Sequence, residues 1–132
     1  MALSRMLAPA LLPGLALLGV AGCGNRPQPA ESDQARAALQ AVLTAWQVGE
    51  TPEDLRDRKP PLYVADEDWL RGCRLTQFQV RPGERRHGLQ LQYTADLTLF
   101  DPRGRALPPR TVVYTVATRP AVSVSREEVA RP

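Results

Sequence analysis

The run from Leu89 to Leu99 alternates apolar and polar residues without a break. Leu89, Leu91, Tyr93, Ala95, Leu97 and Leu99 stand against Gln90, Gln92, Thr94, Asp96 and Thr98. Successive side chains of an extended chain point to opposite faces, so a period of two specifies a strand with one buried and one wet face. A helix would scatter the same residues around its axis, and a strand buried on both faces would not keep a polar residue at every second position. The chain therefore contains a sheet covered on one side, and another part of the sequence must supply the cover.

Ser32 to Val48 meets that need. Ala35, Leu39, Val42, Leu43 and Trp46 recur at helical spacing and form one apolar stripe, with Arg36, Gln40, Thr44 and Gln47 away from it. Ser32 is expected to cap the start, Asp33 suits the positive end of the helix dipole, and Gly49 supplies a left-handed stop. A second short helix is expected after Thr51, with Pro52 at its first position and Glu53 and Asp54 in its first turn. Lys59-Pro60-Pro61 ends it.

Beyond residue 61 the period changes to two. Leu62–Val64 reads as a short edge strand and Asp66–Leu70 as one helical turn before Gly72. Thr76–Arg81 is a strand with Phe78 and Val80 on one face, and Gly83–Gly88 is a hairpin loop. Asp101-Pro102-Arg103-Gly104 is a turn, Thr111–Thr118 a strand, and Ala121–Ser125 a last short strand before a charged tail at 126–132. The expected class is α+β, with one long N-terminal helix on a curved antiparallel sheet of three to five strands. This order resembles cystatin-like and NTF2-like domains over most of residues 32–125, a likeness of architecture that brings no function with it. A small β-sandwich with a helical arm is the alternative.

The N-terminus is of another kind. Met1–Arg5 is short and positive, and Met6–Val20 is apolar and interrupted by Pro9 and Pro13. A spanning helix needs about 20 apolar residues, so this stretch reads as an export signal rather than a membrane span. Val20-Ala21-Gly22-Cys23 resembles the lipobox of bacterial lipoprotein precursors. That resemblance implies cleavage between Gly22 and Cys23, acylation of Cys23, and anchoring to membrane lipid in the cell envelope. Gly24, in place of aspartate, favours the periplasmic face of the outer membrane where a cell has two membranes. Residues 1–22 are then the signal and 23–31 a lipidated cysteine with a polar tether, leaving a single domain at 32–125. An ordinary secretory signal or a retained anchor are the competing readings of the leader.

Of the 132 residues, 17 are basic and 14 acidic, for a net charge of +3. Removal of residues 1–22 takes only Arg5 from that balance. So small an excess does not indicate nucleic-acid binding. No cofactor motif appears, and a chain of this size has no room for a nucleotide-binding α/β unit.

Candidate chemistry is sparse. His87 is the only histidine, and with Arg85 and Arg86 it sits in the expected hairpin loop, a possible contact for anionic headgroups or an acidic partner. Asp66, Glu67 and Asp68 form the one acidic cluster. Its spacing is not that of a calcium loop, and it fits a capped turn that positions Trp69. One histidine and one unmodified cysteine exclude the usual zinc sets. Cys73, left without a partner once Cys23 is acylated, is either a buried apolar residue or a thiol free for an intermolecular disulfide. These features lead to a noncatalytic binding or interaction module, with an envelope protein as a possible partner. A small hydrolase or isomerase is the alternative, and it requires Asp66, Asp96 or Tyr114 to point inward into a pocket.

Overall fold

The computed structural model describes residues 29–127, and the structural statements that follow concern those residues. The leader, Gly22 and Cys23 lie outside them.

Helix α1 (Ser32–Gln47) buries the expected stripe of Ala35, Leu39, Val42, Leu43 and Trp46, and adds Ala38 and Ala45. Each buried leucine or valine contributes about 1.5–3 kcal/mol relative to exposure. The helix stops at Gly49, whose φ of +94° lies in the left-handed region that side chains rarely adopt. Its N-cap is Glu31, not Ser32; Ser32 is the first helical residue and its hydroxyl donates to the Glu84 carboxylate. Helix α2 (Pro52–Arg56) begins with a reciprocal cap. The Asp54 N–H donates to Thr51 Oγ1 at 3.2 Å, and the Thr51 N–H donates to Asp54 Oδ2 at 2.9 Å.

The chain then forms β1 (Leu62–Ala65), α3 (Glu67–Leu70), β2 (Arg74–Val80), β3 (Arg85–His87), β4 (Gln90–Phe100), β5 (Arg110–Ala117) and β6 (Val122–Arg126). The sheet order is β1-β6-β5-β4-β2, with β3 also paired to β4. Since β5 holds one side of β4, β2 and β3 share the other as two pieces of one interrupted strand. Pro82, which has no N–H to donate, and Gly83, at φ +86°, make the interruption. Arg85, Arg86 and His87 therefore lie on a strand, where the sequence suggested a loop.

Two further expectations are corrected. The sheet is mixed, because β1 runs parallel to β6. Hairpin signals report antiparallel neighbours in sequence, and a pair formed by residues 60 apart leaves no such signal. Arg126 and Glu127 also belong to the fold rather than to a tail: Arg126 pairs with Tyr114, and the Glu127 N–H donates to the Val113 carbonyl at 2.8 Å.

The sheet curls into a half-barrel, helped by a bulge at Thr76 in β2. Leu91, Tyr93, Ala95, Leu97 and Leu99 of β4 face the core as the alternation predicts. Leu89 falls before the strand and stays 49% exposed, its carbonyl accepting from the Ala30 N–H at 2.8 Å. Helix α1 closes the β2 edge with side-chain donors. Arg36 reaches the carbonyls of Val80 and Arg81, Gln47 that of Thr76, and Trp46 that of Cys73. Side chains thus occupy acceptors that a further strand would otherwise pair.

Candidate functional site

Four elements bring their charged groups together at one end of the half-barrel. Asp66 leaves β1 as the N-cap of α3, its Oδ1 accepting from the N–H groups of Asp68 and Trp69 at 3.0 and 3.4 Å. Its Oδ2 accepts from the Tyr114 hydroxyl at 2.5 Å. Arg126, beside Tyr114 across the β5–β6 pair, donates to Asp66 at 3.2 Å and forms a close ion pair with Asp68. Asp68 also accepts from Arg110 at 3.0 Å and Arg71 at 2.9 Å.

The electrostatics follow from burial and partners. Burial pushes the Asp68 carboxyl up, but Arg126, Arg110 and Arg71 outweigh it and hold the group below the usual carboxylate range. Burial, then the charge of Asp66, pushes the Tyr114 phenol far above its ordinary range. Burial works against the Arg126 charge, and the two carboxylates more than compensate. The inward Asp66 and Tyr114 are thus the residues a pocket enzyme would need. Yet Asp68 and Tyr114 are each 1% exposed, too little for a substrate atom to touch either. No buried side-chain polar atom among the described residues lacks a hydrogen-bond partner. The cluster clamps β1, α3, β5 and β6 together.

The open feature lies beside it, where α1 ends. Trp46 and Trp69 stack with ring centroids 5.2 Å apart and planes within 7°. The capped turn thus positions Trp69, and Trp46 is fixed by its indole N–H, which donates to the Cys73 carbonyl at 2.9 Å. A cleft of about 440 Å³ opens over this pair, lined also by Pro52, Cys73, Val48 and Leu70. Val48 and Leu70 are 69% and 67% exposed, the two most exposed large hydrophobic side chains described. Cys73 is free and buried, and burial followed by the Asp68 charge pushes its thiol up. Cys73 is a small, buried part of the cleft wall beside the tryptophan pair.

The wet face of the sheet is largely paired with itself. Arg81 binds Asp96 through two bonds of 3.0 Å, and the Thr111 hydroxyl donates to Asp96 at 2.7 Å. Asp96 therefore points outward, as the alternation predicts, and Arg81 with Thr111 holds its carboxyl below the ordinary range. Glu127 accepts from Thr115 and Gln92.

The basic residues of the hairpin do not form one patch. The β3–β4 register places Arg85 and His87 opposite the wet-face Gln92 and Gln90, and Arg86 opposite the core residue Leu91. Arg86 donates to the Ala30 carbonyl at 3.0 Å. Cys23, the lipidation candidate, lies outside the described residues.

The sequence marks Trp46 and Trp69 only as apolar residues of their helices; nothing in it announces that they stack, since 23 residues separate them. The exposure of Val48 carried one faint signal, its position after the last stripe residue. Among the described residues, no group of three or more histidine, cysteine, aspartate or glutamate side chains could hold a metal ion, and no helix is long and apolar enough to cross a membrane. Compared with known proteins, the chain matches no family model, no curated protein and no solved structure.

Proposed function

We propose that the chain is a lipid-anchored protein of the cell envelope that works as a noncatalytic interaction module. The address rests on Val20-Ala21-Gly22-Cys23 after an apolar leader, with Cys23 acylated and the tether expected over 23–31 joining the lipid to the domain, although Ala30 and Glu31 of that stretch are held in the fold. On this reading the fold is a helix laid on a curved sheet in the manner of cystatin-like and NTF2-like domains.

The observation that carries the module reading is the contrast between the two neighbouring features. The acid–tyrosine cluster is closed, and the cleft over Trp46 and Trp69 is open and flanked by two exposed aliphatic side chains. An apolar side chain of an envelope protein is the chemistry that such a cleft accepts. The alternative, a small hydrolase or isomerase, needs Asp66 or Tyr114 to meet a substrate, and these two are bonded to each other under burial.

Two measurements test the proposal. Metabolic labelling with a fatty-acid analogue is expected to mark the wild-type chain and not Cys23→Ser; label that persists in the variant rejects the anchor. A photo-crosslinker placed at residue 70 of the lipidated protein is expected to capture a reproducible envelope protein, lost with Val48→Asp. Capture that is unchanged by Val48→Asp rejects the cleft.

A further inference from the structure

The place where the chain enters the fold fixes which end of the domain meets the lipid. Ala30 is buried and doubly held: its N–H donates to the Leu89 carbonyl at 2.8 Å, and its carbonyl accepts from Arg86 at 3.0 Å. The Glu31 N–H donates to the Thr118 hydroxyl at 3.4 Å, and Tyr93 donates to the Ser32 carbonyl at 3.0 Å. The incoming segment is thus pinned between the β3–β4 hairpin tip and the turn that joins β5 to β6. Exposed His87, Leu89 and Arg119 surround that point.

The opposite end lies far from it. Helix α1 starts beside the pinned segment and rises about 24 Å over its 16 residues, and β4 runs the same way for about 35–37 Å over its 11 residues. Both end near Trp46, Cys73 and α3, because Arg74 pairs with Phe100 and Trp46 bonds to Cys73. Seven peptide units separate Cys23 from Ala30, a reach of about 23–25 Å at full extension. The hairpin end can touch the lipid at any extension of this segment. The Trp46–Trp69 end can do so only with the segment drawn out and the body turned over, which costs chain entropy.

We infer that the hairpin tip around His87 and Leu89, with Arg119 beside it, is the surface that rests on the phospholipid headgroups, and that the tryptophan cleft opens away from the bilayer. The inference deepens the proposed function and rests on acylation of Cys23. Charge is not the driving force. Arg36, Arg85, Arg86 and Arg119 stand against Glu31, Asp33 and Glu84 at the same end, an excess of one, so the contact forms on neutral headgroups as well as on anionic ones. Exposed Leu89 supplies the apolar contact, and Arg119 reaches the headgroup phosphates.

The test uses the full chain, purified in its acylated form and reconstituted in phosphatidylcholine vesicles that carry a headgroup-attached nitroxide quencher. A dye is attached through His87→Cys or Val48→Cys, each in a Cys73→Ala background, and both altered positions are exposed. Loss of emission at position 87 with emission retained at position 48 is the expected result. Equal quenching at the two positions, or stronger quenching at 48, overturns the orientation while vesicle flotation leaves the anchor standing. A chain that fails to float with the vesicles overturns the anchor reading itself and the orientation with it.

Discussion

The two faces of the β4–β5 pair carry the same three functional groups in two settings. On the inner side, Asp66 and Asp68 meet Arg126 and the hydroxyl of Tyr114; on the outer side, Asp96 meets Arg81 and the hydroxyl of Thr111. The side chains of Asp66 and Asp68 are 2% exposed, against 43% for Asp96 and 52% for Arg81. Two unit charges 4 Å apart attract by about 1 kcal/mol in water and about 4 kcal/mol at the effective dielectric near a protein surface. The outer triad adds little because water already satisfies its members. The inner one is needed because its buried carboxylates depend on fixed protein partners: Arg126 and Tyr114, with Arg110, Arg71 and two backbone N–H groups beside them.

Arg126 tests this difference most severely. Arg126→Met keeps the bulk of the side chain and removes the guanidinium shared by Asp66 and Asp68. Removing one partner of a buried ion pair costs about 3–5 kcal/mol, much of it from the charge left behind. Urea denaturation at neutral pH is expected to show a loss toward the lower end of that range, because Arg110 and Arg71 still face Asp68 and Tyr114 still donates to Asp66. The pH dependence has a definite sign. The Asp68 carboxyl is depressed in the fold, so its contribution is complete above its unfolded value, about 3.9, and is lost as pH falls through the lower folded value. The wild type should lose stability below about pH 4. Arg126→Met has less of this contribution to lose, so the gap between the two proteins should narrow in acid.

The two faces were unequally legible in the sequence. The outward Asp96 follows from the alternation of Leu89–Leu99, and the stripe Ala35–Trp46 and the Thr51 cap follow from local spacing, because each depends on residues within a few positions of one another. The inner cluster joins Asp66 to Tyr114 and Arg126, 48 and 60 residues away. No local period encodes such a meeting; it depends on the parallel β1–β6 pair, which the sequence leaves unannounced. The same blindness placed Arg126 in a tail. Leu89 misled in a different way: it continues the alternation, but the strand starts one residue later, and its carbonyl is taken by Ala30. The acidic triplet is legible as a capped turn because Asp66 caps the nearby N–H groups of Asp68 and Trp69, whereas its role as an anchor for β5 and β6 depends on partners 42 to 60 residues away.

Tyr114→Phe gives an effect of intermediate size. It removes a single hydrogen bond to a buried carboxylate and leaves the ring packing intact, so the expected cost is about 1.5–3 kcal/mol. Its alkaline signature is more diagnostic. The Tyr114 phenol is raised in the fold, so its contribution is complete below the unfolded value, about 10, and is lost as pH rises toward the higher folded value. The wild type is expected to lose stability above about pH 10, and Tyr114→Phe to lose less over that range. Tyr93, raised chiefly by burial, keeps some of the slope in both proteins. An identical slope in wild type and variant would mean that Tyr114 is less enclosed than the cluster requires.

The outer triad supplies the smallest effect. Arg81→Ala should move the urea midpoint only slightly, since each member of the triad turns to water when its partner is removed. Salt separates this pair from the buried one. At about 1 M ionic strength the screening length falls to about 3 Å, which erases an exposed attraction and leaves an enclosed one nearly intact. The small cost of Arg81→Ala should therefore vanish in high salt, and that of Arg126→Met should persist. A double-mutant cycle between Arg81 and Asp96, run at low and high salt, measures the attraction directly. Coupling that survives high salt would show that the outer triad is shielded from water, and the two faces would then differ in degree rather than in kind.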